Sequence, residues 1–192
     1  MSATAFRLEP INPASLGAPR GYSNGMLAPA GGRLLTVAGQ IAWDSEQNIV
    51  TDDFRGQFVQ ALGNVVEVVR AAGGGPEHLA QLTIFVTDEQ EYLGCLRELG
   101  EAYRLIMGAH YPAMALVEVT ALVEDDAKIE IQGLAVVPPK HPATLRSTEP
   151  PPETATVTDF PAAVAPGKQH GPAAVAPGEV APAEAVPTEG PQ

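Results

Sequence analysis

Two glutamates sit in stretches that are otherwise apolar. Glu118 belongs to Ala113–Leu122 and Glu130 to Ala127–Val137. Both stretches alternate as strands do, so Met114, Leu116 and Glu118 share a face, Glu130 and Gln132 share a face, and Ile129 and Ile131 turn the other way. A carboxylate in such surroundings is costly unless it is paired. The late strands therefore read either as a core with satisfied polar groups or as the wall of a cleft carrying Met114, Leu116, Glu118 and Glu130. Two other segments could meet a ligand. The loop Gly21-Tyr22-Ser23-Asn24-Gly25 offers a phenol and small polar groups, and reads as a turn with a packing tyrosine or as a ligand contact. In Val37-Ala38-Gly39-Gln40-Ile41, a glycine inside a strand marks a bulge or the close approach of a backbone or ligand.

Other chemistries lack their residues. His78, His110, His141 and His170 make no metal-ligand spacing, and no metal is expected. Gly73-Gly74-Gly75 follows a helical segment instead of preceding one, so it stops a helix and does not cradle a phosphate. No Gly-x-Ser-x-Gly elbow occurs. The single cysteine, Cys95, excludes an intramolecular disulfide; on a helical pattern of apolar residues it reads as an inert core thiol. Net charge is −12, with 8 basic and 17 acidic residues through Pro138. Without clustered Lys and Arg, nucleic-acid binding is disfavoured. The sequence shows no signal segment and no apolar run of membrane-spanning length, so a soluble cytoplasmic protein without a membrane partner is expected.

The elements that must position these residues follow from periodicity. A short strand is expected over Ala3–Leu8, a loop over Asn12–Gly25, and strands over Met26–Pro29 and Arg33–Trp43 joined by Ala30-Gly31-Gly32. Asp52 or Asp53 caps a helix running to about Ala72, with Phe54, Phe58, Ala61, Leu62, Val65, Val66, Val68 and Val69 at helical spacing, a stripe that widens to nearly all round at its end. A strand over His78–Val86 follows, then a second helix from Thr87 or Asp88 to Met107, ended by Gly108. The two late strands, joined by an acidic turn, are expected to lie antiparallel. This order predicts an α/β fold, a sheet with two helices on one face and the other face bare. Apolar residues on that bare face call for a partner, so assembly is inferred.

Composition divides the chain at Pro138. Of 19 prolines, 12 lie in Pro139–Gln192, where Phe160 is the sole aromatic residue and PAAVAPG occurs twice, at Pro161–Gly167 and Pro172–Gly178. Residues 1–138 read as one globular domain and residues 139–192 as a disordered Pro/Ala-rich tail, either a solubilising extension or an arm for a partner.

From Asn12 to Val137 the chain resembles the Rid family (reactive intermediate deaminases, also called YjgF). The resemblance rests on the Tyr22 loop, Ala38-Gly39-Gln40-Ile41, Gln60-Ala61-Leu62-Gly63-Asn64-Val65, Leu82-Thr83-Ile84-Phe85-Val86-Thr87-Asp88, Tyr111-Pro112-Ala113, Val117-Glu118-Val119 and Ile129-Glu130-Ile131. It implies a chorismate-mutase-like fold and a homotrimer whose sheets form a central barrel. Small-molecule clefts between subunits would hydrolyse enamines and imines to ketones and ammonia with no cofactor. It implies Glu130 as the residue that places the attacking water and Tyr22 as a cleft residue. The family's carboxylate-binding arginine is replaced by Met114, its serine by Ala38 and its cysteine by Leu116. These exchanges suggest a less charged, more apolar ligand without a free α-carboxylate, contacted by Tyr22, Gly39, Met114 and Leu116, with Arg20 near enough in sequence to reach back. The alternative is a trimer that binds an apolar metabolite or a protein without catalysis. Glu130→Gln separates the two.

Overall fold

The computed structural model describes residues 6–140; residues 141–192 of the composition-defined tail and Ala3–Ala5 of the strand expected over Ala3–Leu8 lie outside them, and Phe6–Leu8 are not strand. The first strand is instead β1 (Glu9–Ile11), paired antiparallel with β2 (Gly25–Leu27). The main sheet comprises β3 (Arg33–Gln40), β4 (Leu79–Val86), β5 (Ala113–Glu118) and β6 (Ile129–Val137) in the order β3-β6-β4-β5. Among the described residues three α-helices complete the fold: α1 (Phe54–Ala71), α2 (Glu89–Gly94) and α3 (Leu96–Met107).

Local chemistry sets the helix ends. Asp53 Oδ2 accepts the Gly56 N–H at 2.8 Å, the N-cap expected of it. Gly73 takes φ +86° after α1, and its N–H reaches the Arg70 carbonyl at 2.9 Å. Asp88 caps α2 through the Gln90 N–H at 2.7 Å. The second helix is not continuous. It breaks at Cys95, whose φ of −126° is not helical, so the thiol lies at the α2–α3 junction and not mid-helix. Burial first, and nearby carboxylates second, push that thiol's pKa up, which keeps it protonated and inert.

Two expected hairpins are absent. β2 pairs with β1 and not with β3. The late strands do run antiparallel, but β4 lies between them, parallel to β5 and antiparallel to β6. The connection spans residues 119–128, long enough to cross the end of β4: Val119 donates to the Val86 carbonyl and Thr87 to that of Lys128. Gln57 fastens this crossing from α1. Fully buried, it donates to the carbonyls of Thr51 and Asp126, both at 2.9 Å, and accepts the Lys128 N–H at 2.8 Å. The core lies between the helices and one face of the sheet, where Leu62, Val65, Val66 and Val69 of α1 meet Leu79, Leu82, Val86, Ile129 and Ile131.

Candidate functional site

Gly39 and Glu130 come together as close neighbours. The register of β3 on β6 slips between Val37 and Gln40, the bulge that glycine in a strand foretold. A Cβ built on Gly39 would overlap the Glu130 carboxyl group, so the glycine makes room for that side chain. The end of β3 is held from α1: Asn64 Nδ2 donates to the carbonyls of Ile41 (3.1 Å) and Trp43 (3.0 Å), and Gln60 Nε2 to Trp43 (3.1 Å). This gives the Gln60–Asn64 segment a positional role. Glu130 is half-buried, and among the described residues it makes no ion pair.

Tyr22, Arg20 and Met114 form a second group. Ser23 is buried; its N–H donates to the Pro112 carbonyl at 3.0 Å and its Oγ to that of Tyr111 at 2.6 Å. These bonds tie the loop to the start of β5 and leave Tyr22 43% exposed beside Met114. A cavity of about 810 Å3 is lined by Arg20, Tyr22 and Met114 together with α3 and its following loop. In its lining Tyr103 and Tyr111 stack with centroids 5.2 Å apart, and Tyr103 Oη donates to the His110 carbonyl at 2.9 Å. Burial, and secondarily Tyr111, raises the Tyr103 pKa far enough to keep the phenol a neutral donor. His110 Nε2 lies 2.7 Å from the Leu79 carbonyl, and that acceptor assigns the proton to Nε2.

The two groups do not share a face within one chain, which corrects the single wall expected of Met114, Leu116, Glu118 and Glu130. Met114 pairs in register with Leu82 and Leu116 with Ile84, and both pack against the helix-covered core. Glu130 pairs with Phe85 and so lies on the opposite, open face. Two strand spacings, about 10 Å, also separate β6 from β5. Leu116 does not line the cavity. Arg104 and His110 do, and the sequence marks neither for a ligand: Arg104 falls in the last turn of α3, where a cation suits the helix dipole, and His110 has no ligand spacing.

The family model described as endoribonuclease L-PSP matches residues 13–137. The chain belongs to the Rid (YjgF) family. It is similar to the 2-iminobutanoate/2-iminopropanoate deaminase of Salmonella typhimurium, 34% identical over 105 residues, 55% of this chain and 80% of that protein. The rat protein of the same name is 31% identical over 134 residues, 69% of this chain and 90% of its own. The crystal structure of the Rid-family protein YyfB of Yersinia pestis superposes with a TM-score of 0.59 at 30% identity, over 68% of this chain and 99% of that one. The mixed α/β fold is thus that of Rid proteins. Among the described residues no helix is long and apolar enough to cross a membrane.

Proposed function

We propose that this Rid chain assembles as a homotrimer through its open sheet face and hydrolyses a small enamine or imine in clefts between subunits. The observation that carries this is the split site. A carboxylate nested on a glycine bulge lies on one face, and a ligand-sized cavity with an exposed phenol lies on the other. A second copy would complete each half, bringing the Gly39–Glu130 side of one subunit to the Tyr22–Met114 side of its neighbour. The similarity to iminobutanoate deaminases supports the same chemistry.

In this reading Glu130 accepts a hydrogen bond from water, orients it toward the imine carbon and takes its proton as general base. The C–O bond forms and Glu130 passes that proton to the imine nitrogen; the second water proton follows it to nitrogen as the tetrahedral adduct collapses and the C–N bond breaks. One imine and one water thus give one ketone and one ammonia. Main-chain groups at the Gly39 bulge hold the ligand beside Glu130. Met114 has no donor for an α-carboxylate, so the substrate is not gripped from β5 as the family resemblance would imply.

Imines made in situ by an amino acid oxidase supply the assay, with ammonia or ketone release as the readout. Glu130→Gln should lower turnover by about a hundredfold while the assembly keeps its mass. Turnover insensitive to Glu130→Gln would overturn the hydrolase reading. So would a full-length protein that sediments as a monomer.

A further inference from the structure

Resting on the reading that the Tyr22–Met114 cavity is the ligand side of the cleft, we infer that it takes an anionic ligand with an apolar body. The acid group is held by Arg20 and Arg104 and not from the β5 position that Met114 occupies.

Charge is the first argument. Through Pro138 the chain carries 17 acidic residues against 8 basic ones, yet this cavity has no Asp or Glu in its lining and both Arg20 and Arg104. The depression lined by Thr87 and Thr120 is predominantly acidic instead, with Asp52, Glu124, Asp125 and Asp126 against Lys128 alone. A cavity walled by one sign of charge concentrates ligands of the other sign.

Availability is the second. Several other cations already have partners: Arg97 lies 2.9 Å from Glu98, Arg70 3.6 Å from Glu67 and Lys128 2.9 Å from Glu91. Arg33 donates to the carbonyls of Pro138 and Ala72. Among the described residues neither Arg20 nor Arg104 is in an ion pair. A guanidinium can meet a carboxylate through two parallel hydrogen bonds, which fixes orientation as well as charge.

Placement is the third. Leu96, Leu99, Gly100, Tyr103 and Arg104 recur at helical spacing, so a single face of α3 lines the cavity. The guanidinium lies over this same face: a Cβ built on Gly100 would stand in ordinary contact with Arg104 Nη1, at 3.6 Å. Compensation of the α3 dipole accounts for a cation in the last turn. It does not account for Arg20 on the loop wall, nor for a lining without acids. The remaining lining, Phe58, Ile84 and Leu99 among it, suits an apolar body. The substrate of the proposed hydrolysis then carries its acid away from the reacting carbon, with aliphatic or aromatic carbon between them.

Isothermal titration of the full-length protein tests this with phenylacetate, 4-phenylbutyrate and 6-phenylhexanoate, each beside its uncharged amide. At least one acid should bind about tenfold more tightly than its amide, and less tightly as salt is raised. Arg104→Gln and Arg20→Gln should each weaken that acid by about tenfold and leave the amide unchanged, while Arg104→Lys keeps part of the affinity. Thermal melts of each variant establish that it is folded. The inference is overturned if no acid outbinds its amide, or if both glutamine variants bind the acid as the parent does. Its failure is distinct from that of the hydrolase reading. Acid binding with turnover indifferent to Glu130→Gln leaves this inference standing alone, and Glu130-dependent turnover without acid binding leaves only the other.

Discussion

On one face of the four-stranded sheet Leu82, Ile84, Val86, Ile129 and Ile131 are buried beneath the helices. On the other face Leu34 is 67% exposed and Val117 44% exposed. The same strands supply both sets by alternation. Burial at about 25 cal/mol per Å2 stabilises the single chain through the first face, whereas the second gains nothing until something covers it. The candidate site residues divide along the same line. Met114 grows out of the packed face where it borders the cavity, and Glu130 stands on the open face. One face therefore governs folding, and the other is the surface through which copies would meet.

The contrast is open to test, beginning with the largest effect. Leu82→Ala removes a fully buried side chain from the packed face. It should cost about 3 kcal/mol in urea unfolding. A cost below about 1 kcal/mol would mean that this face collapses easily and the contrast is overstated.

Met114→Arg tests the border. It forces a longer side chain into a half-buried position facing the core, in a cavity that already holds two arginines. A loss of about 1–3 kcal/mol in stability is expected. No hydrolysis of small 2-imino acids should be gained. Robust turnover by that single substitution would show that the cleft merely lacks one side chain.

Gly39→Ala tests the open face where it touches chemistry. The added methyl meets the Glu130 carboxyl group and should cost about 1–2 kcal/mol. Combined with Glu130→Ala, most of that cost should vanish, because the pair is coupled. Strict additivity in the double-mutant cycle would refute the contact.

Val117→Asp should change the unfolding free energy of the isolated fold least, by about 0.5 kcal/mol or less, as exposed positions do. If the open face joins subunits, the same change should lower the sedimenting mass to that of a monomer. An unaltered mass would move the interface elsewhere.

Much of this was legible in the chain. The apolar spacing of α1, the cap at Asp53, the stop at Gly73 and the alternation of β4 and β6 are local consequences of side-chain chemistry, and each stands where expected. So does the bulge at Gly39, since glycine in a strand has few other uses. What alternation cannot carry is adjacency. It says that Met114 and Leu116 share a face, and that Glu130 and Gln132 share a face, but not whether the two faces are the same. That depended on β6 inserting between β3 and β4, which the ten-residue crossing 119–128 permits and a short hairpin turn would not. Arg104 was invisible for a similar reason. Its sequence neighbours explain a cation at a helix end, whereas only the folded chain sets that last turn and the Tyr22 loop around one cavity. Side-chain pattern within an element is local and was written in the sequence; which elements become neighbours is decided by how the whole core closes, and the site lies between elements.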